Sequence, residues 1–174
     1  MTLPTDSQST FGSFTPVVVT ALPTSRVMHV PGATLLLVES ALPEPATSAL
    51  KSLRGFRAAG RRVLWCDTTD LAESPHAAME RWGTKFVELG GADLAVLVGN
   101  GAREAAIGAR DAGLSLNRVV VCPSDATARN VLCDVALPGD TFLLLGLREE
   151  MAERLLERLE TKFQYVQEAV AALV

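Results

Sequence analysis

The stretch Leu94-Ala95-Val96-Leu97-Val98-Gly99-Asn100-Gly101-Ala102-Arg103 decides the fold class. Five apolar residues without polar alternation read as a strand covered on both faces, because a strand with one wet face alternates apolar and polar side chains. The glycines then permit a tight turn, and helical periodicity follows to about residue 113, where Gly113 supplies a stop. A buried strand passing through a glycine turn into a helix is the repeating unit of a parallel α/β sheet.

The same unit recurs on both sides of this stretch. Apolar runs at Val17–Thr20, Thr34–Val38, Arg62–Cys66, Val119–Cys122 and Thr141–Leu145 are candidate strands. Candidate helices lie between or after them, over about 46–59, 75–90, 101–113, 125–135 and 148–172. Gly60 reads as the stop of the first, Ser74-Pro75 as the opening of the second, and Pro138-Gly139-Asp140 as the turn into the last strand. Residues 1–16, rich in Ser, Thr, Pro and Gly, read as a flexible leader, and 17–174 as one domain. The alternation predicts an α/β, Rossmann-like, mostly parallel sheet of about six strands flanked by helices, with any ligand at the carboxyl ends of the strands. In the last helix Met151, Leu155, Leu156, Leu159 and Phe163 recur at helical spacing and should face the sheet or a partner.

Composition narrows the function classes. A chain of 174 residues, 48% apolar and 21% charged, can bury roughly two thirds of its unfolded surface in a single core. The net charge of −4 provides no basic field for nucleic acid or an anionic membrane. Arginine pairs such as Arg61-Arg62 read as a solvated face. Cys66, Cys122 and Cys133 have no metal-ligand or disulfide-framework spacing, which fits a reducing cytoplasm. The first residues do not resemble a secretory signal, and apolar runs such as 142–145 are too short to span a bilayer.

Neither G-x-x-x-x-G-K-[ST] nor G-x-G-x-x-G occurs, and none of Lys51, Lys85 and Lys162 follows a glycine-rich turn. In the Gly99-Asn100-Gly101 turn the helix amides are an anion candidate; a tight strand-to-helix turn explains the glycines equally well. Cys66-Asp67-Thr68-Thr69-Asp70 follows a buried strand, but the matching acidic and lysine partners of a phosphoryl-acceptor site are missing. Asp67 and Asp70 are therefore read as caps of loop amides. His29 and His76 have no nucleophile partner at a useful spacing, and no metal site is predicted. Trp65 and Trp82 read as packing residues.

Taken in order, several segments resemble the carboxy-terminal domain of the Mur-type peptide ligases, most nearly that of the member adding D-alanyl-D-alanine to a UDP-muramoyl tripeptide. Ser25-Arg26 stands where that family has Gly-Arg. Gly32 to Ser40 is similar to its strand ending in Asp-Asp-Ser-Tyr-Asn-Ala-Asn-Pro, with Pro45 in register. Arg61 to Glu73 is similar to a strand followed by Gly-Asp-Met-Leu-Glu-Leu-Gly-Glu, matching at Asp67, Leu71 and Glu73. Ala92 to Gly99 resembles a strand ending in Val-Gly, and Pro138 to Arg148 parallels Pro-Gly-Asp, a strand and Lys-Gly-Ser-Arg.

The resemblance implies a domain that closes over ATP and presents an incoming amino acid or dipeptide, while separate domains hold the P-loop and the UDP-sugar. It implies no cofactor for this segment alone, and ATP with Mg²⁺ only together with partner domains. A Mur ligase or another cell-envelope protein is the implied partner. Arg26, Glu39, Asp67 and Arg148 are the implied nucleotide-facing residues, with no catalytic residue among them, and they should share one rim. The sequence departs from the family elsewhere: Lys and Ser of Lys-Gly-Ser-Arg become Leu145 and Leu147, and a histidine becomes Met79. Two roles follow for a stand-alone domain, as a contributor to an ATP-dependent amide ligase completed by a partner chain or as a non-catalytic relative. A small-molecule or nucleotide-binding regulatory or scaffold module is the alternative.

Overall fold

Strand β2 (Ala33–Val38), β3 (Arg62–Asp67), β4 (Leu94–Val98), β5 (Val119–Val121) and β6 (Asp140–Leu145) form where the apolar runs lie. They appear in a computed structural model that describes residues 25–71 and 76–171. A further strand, β1 (Ser25–Val30), pairs antiparallel with β2 through a hairpin at Pro31-Gly32, with Gly32 at φ 86°. The sequence reading missed β1, because its mixed, partly exposed residues lack the apolar run of a central strand. The expected strand at Val17–Thr20, the leader at 1–16 and the Ser74-Pro75 opening lie outside the described residues.

The sheet order is β1-β2-β6-β3-β4-β5, with every pair except β1–β2 parallel. Side chains alternate strictly between its faces. Leu36, Val38, Leu64, Cys66, Ala95, Leu97, Leu143 and Leu145 meet helices α1 (Pro43–Gly55), α2 (His76–Glu88) and α3 (Ala102–Asp111). Leu35, Leu37, Val63, Trp65, Val96, Phe142 and Leu144 meet α4 (Asp125–Val135) and α5 (Glu149–Ala171). The result is a three-layer sandwich, the solution for strands with no wet face. In α5, Leu155, Leu159 and Phe163 are buried and Met151 and Leu156 pack at the margin, as their spacing predicts. Among the described residues no helix is long and apolar enough to cross a membrane.

The amino-terminal edge of the parallel strands is closed by polar contacts, and here the solvated-face reading of Arg61-Arg62 is corrected. The Asp140 carboxylate, 1% exposed, accepts from Arg61 Nη2 at 2.7 Å, Arg61 Nε at 3.2 Å, the Arg61 amide at 3.1 Å and the Leu137 amide at 2.9 Å. Arg61 Nη2 also donates to the Val135 carbonyl at 2.7 Å, so one ion pair joins β3, β6 and the end of α4. The hydrogen bond to Asp140 raises the Arg61 pKa against the opposing effect of burial. Arg62 donates to the carbonyls of Leu53, Arg54 and Phe56, satisfying acceptors that a helix end leaves orphaned.

That capping fixes α1 at 43–55 rather than 46–59. Pro43 and Pro45 suit the first turn, where no intrahelical donor is required, and the chain is already extended at Phe56. Gly60 is not a helix stop. Its amide donates to Gly139 at 2.8 Å, and a Cβ there would lie 2.8 Å from the Gly139 carbonyl carbon, so only glycine permits the approach.

Helices α2 and α3 touch through bare backbone. A Cβ on Gly108 would lie 1.8 Å from the Glu80 carbonyl oxygen, and one on Gly83 would lie 1.9 Å from that of Ala105. Substituting Gly108→Ala is expected to force these helices apart and cost about 1–3 kcal/mol, the range for overpacking. Asp140→Ala should cost about 3 kcal/mol by stranding Arg61 and opening the β3–β6 edge. Urea unfolding of each variant measures both, with Glu157→Ala on the exposed side of α5 as the reference expected to change little.

Candidate functional site

The opposite edge carries the carboxyl ends of the parallel strands. Helices after β2 and β3 leave toward one face while α5 leaves β6 toward the other, so crevices open on both sides of β6. The same divergence occurs between α3 after β4 and α4 after β5. Such switch points are where open α/β sheets hold ligands.

Asp67 occupies the middle of this edge. Two left-handed glycines flank it, Gly99 at φ 92° and Gly146 at φ 74°. A Cβ on Gly99 would meet Asp67 Oδ1 at 2.5 Å and Thr69 Oγ1 at 2.4 Å, and one on Gly146 would meet the Asp67 carbonyl oxygen at 3.0 Å. Both glycines are therefore needed for the close approach of β4 and β6 to the β3 loop. Asp67 Oδ1 accepts from the Thr69 amide at 2.9 Å, a local Asx turn. Thr68, fully buried, directs its hydroxyl to the carbonyls of Val98 at 2.9 Å and Asn100 at 2.7 Å, tying this loop to the glycine turn. The loop-capping role expected for Asp67 is thus present, and Asp70 is exposed beside it.

The other residues named by the sequence lie along the same edge. Glu39 follows β2 and is exposed. Gly146 donates its amide to Val38 at 2.8 Å, which sets Arg148 just past the end of β6. Arg26 reaches the edge because β1 runs antiparallel, placing it opposite Leu37. The topology therefore brings Arg26, Glu39, Asp67 and Arg148 to one rim. Arg26 does not stand open there: its guanidinium is ion-paired to Glu149 in the first turn of α5.

Sequence reasoning missed Glu149, and it missed Asp125. Asp125 opens α4, whose Ser124 caps the helix by accepting from the Thr127 amide at 3.3 Å. One Asp125 oxygen is buried with no hydrogen-bond partner among the described residues. Burial raises the Asp125 pKa first, the Asp67 charge raises it further, and Arg148 and Arg129 oppose the shift. Asp125 thus lies within electrostatic reach of Asp67 and Arg148. The available signal was Ser-Asp before a helical run, a cap signature that says nothing about a site.

The remaining family positions point inward. Leu145 and Leu147 are buried, and Met79 is buried against Gly101. Trp65 is buried in the core; Trp82 packs near Phe86 under Lys85, whose Nζ lies 4.0 Å from the indole centre. His29 bonds Thr34 at the far end of the β1–β2 hairpin, 3.0 Å away. An open depression of about 510 Å³ lies between the Gly99–Glu104 turn and Val121–Pro123, and no side chain caps α3 there. Among the described residues no cluster of three or more His, Cys, Asp or Glu is placed to hold a metal ion.

No protein-family model matches the sequence, and no curated protein matches it. Solved structures do match. MurF from Acinetobacter baumannii superposes with a TM-score of 0.61 at 21% identity over 78% of this chain and 30% of its own. MurF ligase from Thermotoga maritima, in complex with ADP, gives 0.53 at 18% identity over 80% of this chain and 30% of its own. A domain from a Haemophilus ducreyi protein described as a UDP-N-acetylmuramate:L-alanyl-γ-D-glutamyl-meso-diaminopimelate ligase gives 0.55 at 13% identity, over 77% of this chain and 98% of that domain. The chain thus spans about 30% of the MurF chains and nearly all of the isolated domain, and it shares their fold.

The raised Asp125 pKa gives a pH test. A carboxyl whose folded pKa exceeds its unfolded value contributes stability below the unfolded pKa and loses it as pH rises through the folded one. Asp125→Asn should therefore unfold at a higher temperature than wild type near pH 7. The difference should shrink as pH falls through the carboxylate range. Thermal unfolding monitored by circular dichroism from pH 3 to pH 7 reads it, and a difference independent of pH would contradict the assignment.

Proposed function

We propose that this chain is a Mur-type carboxy-terminal lobe that sets its strand-end rim against a nucleotide and metal held by a second unit, contributing to ATP-dependent amide-bond formation in peptidoglycan precursor synthesis. The carrying observation is convergence: Arg26, Glu39, Asp67 and Arg148 come from four separate segments and meet at the switch-point edge of the sheet. The Thermotoga structure that shares the fold was solved in complex with ADP, and a nucleotide at the rim is proposed by analogy with that ligase. The motifs resemble most those of the tripeptide–D-alanyl-D-alanine ligase, and MurF structures are among the structural matches.

The rim as built supports positioning rather than turnover. Phosphoryl transfer to a carboxylate depends on holding the γ-phosphate with a phosphate loop, a lysine and Mg²⁺ ligands, and the sequence contains no such loop. Arginines at the rim could meet phosphate or ribose oxygens, but they cannot fix the nucleotide and metal.

A second reading has its own observation. Leu145, Leu147 and Met79 are committed to packing where the family resemblance expects Lys, Ser and His. A rim stripped of those donors suits a non-catalytic relative that scaffolds a ligase or another cell-envelope protein in the cytoplasm. A regulatory module for another small molecule would use the same edge and would reveal itself in a thermal-shift screen.

Phosphate release from Mg-ATP separates the first two readings. The purified chain should be silent, with or without UDP-muramoyl tripeptide and D-alanyl-D-alanine. Activity restored by adding a ligase lacking its own terminal domain supports the proposal, and silence in the mixture favours the scaffold. Turnover by the chain alone would sink both. In a parallel titration, ATP should shift amide resonances at 26, 39, 67 and 148; shifts confined to another face, or none at millimolar ATP, would remove the nucleotide.

A further inference from the structure

One of the two arginines that the rim could offer to phosphate is already paired with a carboxylate of the same chain. Arg26 on β1 is ion-paired to Glu149 at the start of α5, with the two side chains 62% and 43% exposed. Arg148 lies close enough to Asp125 for its charge to lower that group's pKa. Glu149 is well placed to hold its position without a ligand, because an acidic residue in the first turn is favoured by the helix dipole. Packing of Ala152 and Leu155 into the sheet's core then fixes the turn that carries it.

We infer that Glu149 is an internal competitor for Arg26, so that a polyphosphate gains that arginine only by displacing the Glu149 carboxylate. The inference rests on reading the rim as polyphosphate-facing, and it adds a residue that sets how tightly that rim holds an anion. The displacement trades one charge-assisted pair for another. Any anion that takes Arg26 must offset the loss of the Glu149 pair. The half-exposed setting keeps the pair weak enough to open, since exposed ion pairs contribute little net stability and are screened by salt.

The test compares ATP and inorganic tripolyphosphate binding, by calorimetry at low salt, across the whole chain and its variants. Glu149→Gln should tighten tripolyphosphate binding by about two- to fivefold, the factor expected for removing an exposed ion pair. Arg26→Gln should weaken it, and adding Glu149→Gln to Arg26→Gln should give no further gain. Glu150→Gln, which removes the same charge one residue away, should leave affinity near wild type.

A gain that persists without Arg26, or that Glu150→Gln reproduces, would overturn the competitor role and leave only a diffuse field effect. An unchanged affinity in Glu149→Gln, with Arg26→Gln still weakening ATP, would overturn it while sparing the nucleotide reading. The expected pattern with tripolyphosphate, but with no added affinity for ATP, would support the competitor and remove the nucleotide. Absence of binding by both probes in every variant would overturn both.

Discussion

Central strands buried on both faces constrain everything else in this molecule. Every residue of β4 and β6 is out of water, and successive side chains enter two separate apolar clusters. Backbone amides and carbonyls along those strands are consumed by the sheet, because unpaired ones inside such a core would be costly. Polar chemistry is thereby pushed to the strand ends. The fold leaves two such edges, and they are built differently.

At the amino-terminal edge the polar groups are bound to one another. Asp140 is surrounded by donors, Arg61 bridges β3, β6 and α4, and Arg62 closes α1. Lys162 performs the corresponding task for α4, donating to the carbonyls of Cys133, Asp134 and Ala136. These charges are structural, and their partners are backbone or buried. The carboxyl-terminal edge instead gathers carboxylates and arginines that remain partly exposed, around two glycine turns that press their backbones against Asp67. The carboxyl-terminal edge is also the one where open α/β sheets hold ligands.

The rim's electrostatics qualify what that ligand must be. Arg26 is paired with Glu149, and Glu39, Asp67 and Asp125 stand at the same edge as Arg148, so the rim carries more carboxylates than arginines and is no basic field awaiting any anion. Inward-facing Leu145 and Leu147 add packing where polar side chains would have added donors. The fold makes up about 30% of the MurF chains it matches.

The sequence by itself determined the layered fold, because apolar runs of four or five residues bounded by turn residues are too short for helices and read as covered strands, and glycine and proline punctuation placed most helices within a few residues. It also located Asp67 at a strand end and identified Trp65 and the α5 stripe as core. It could not reveal β1, whose half-wet residues carry no distinctive period, nor the fate of Arg61, whose partner Asp140 lies far along the chain, or of Arg62, which turns back on the carbonyls that end α1. Tertiary structure alone decided which charges face one another. Arg26 meets Glu149 across more than a hundred residues because an antiparallel β1 and an α5 that follows β6 begin at the same edge. Pairings of that kind depend on strand order, and strand order leaves no local trace in composition or spacing.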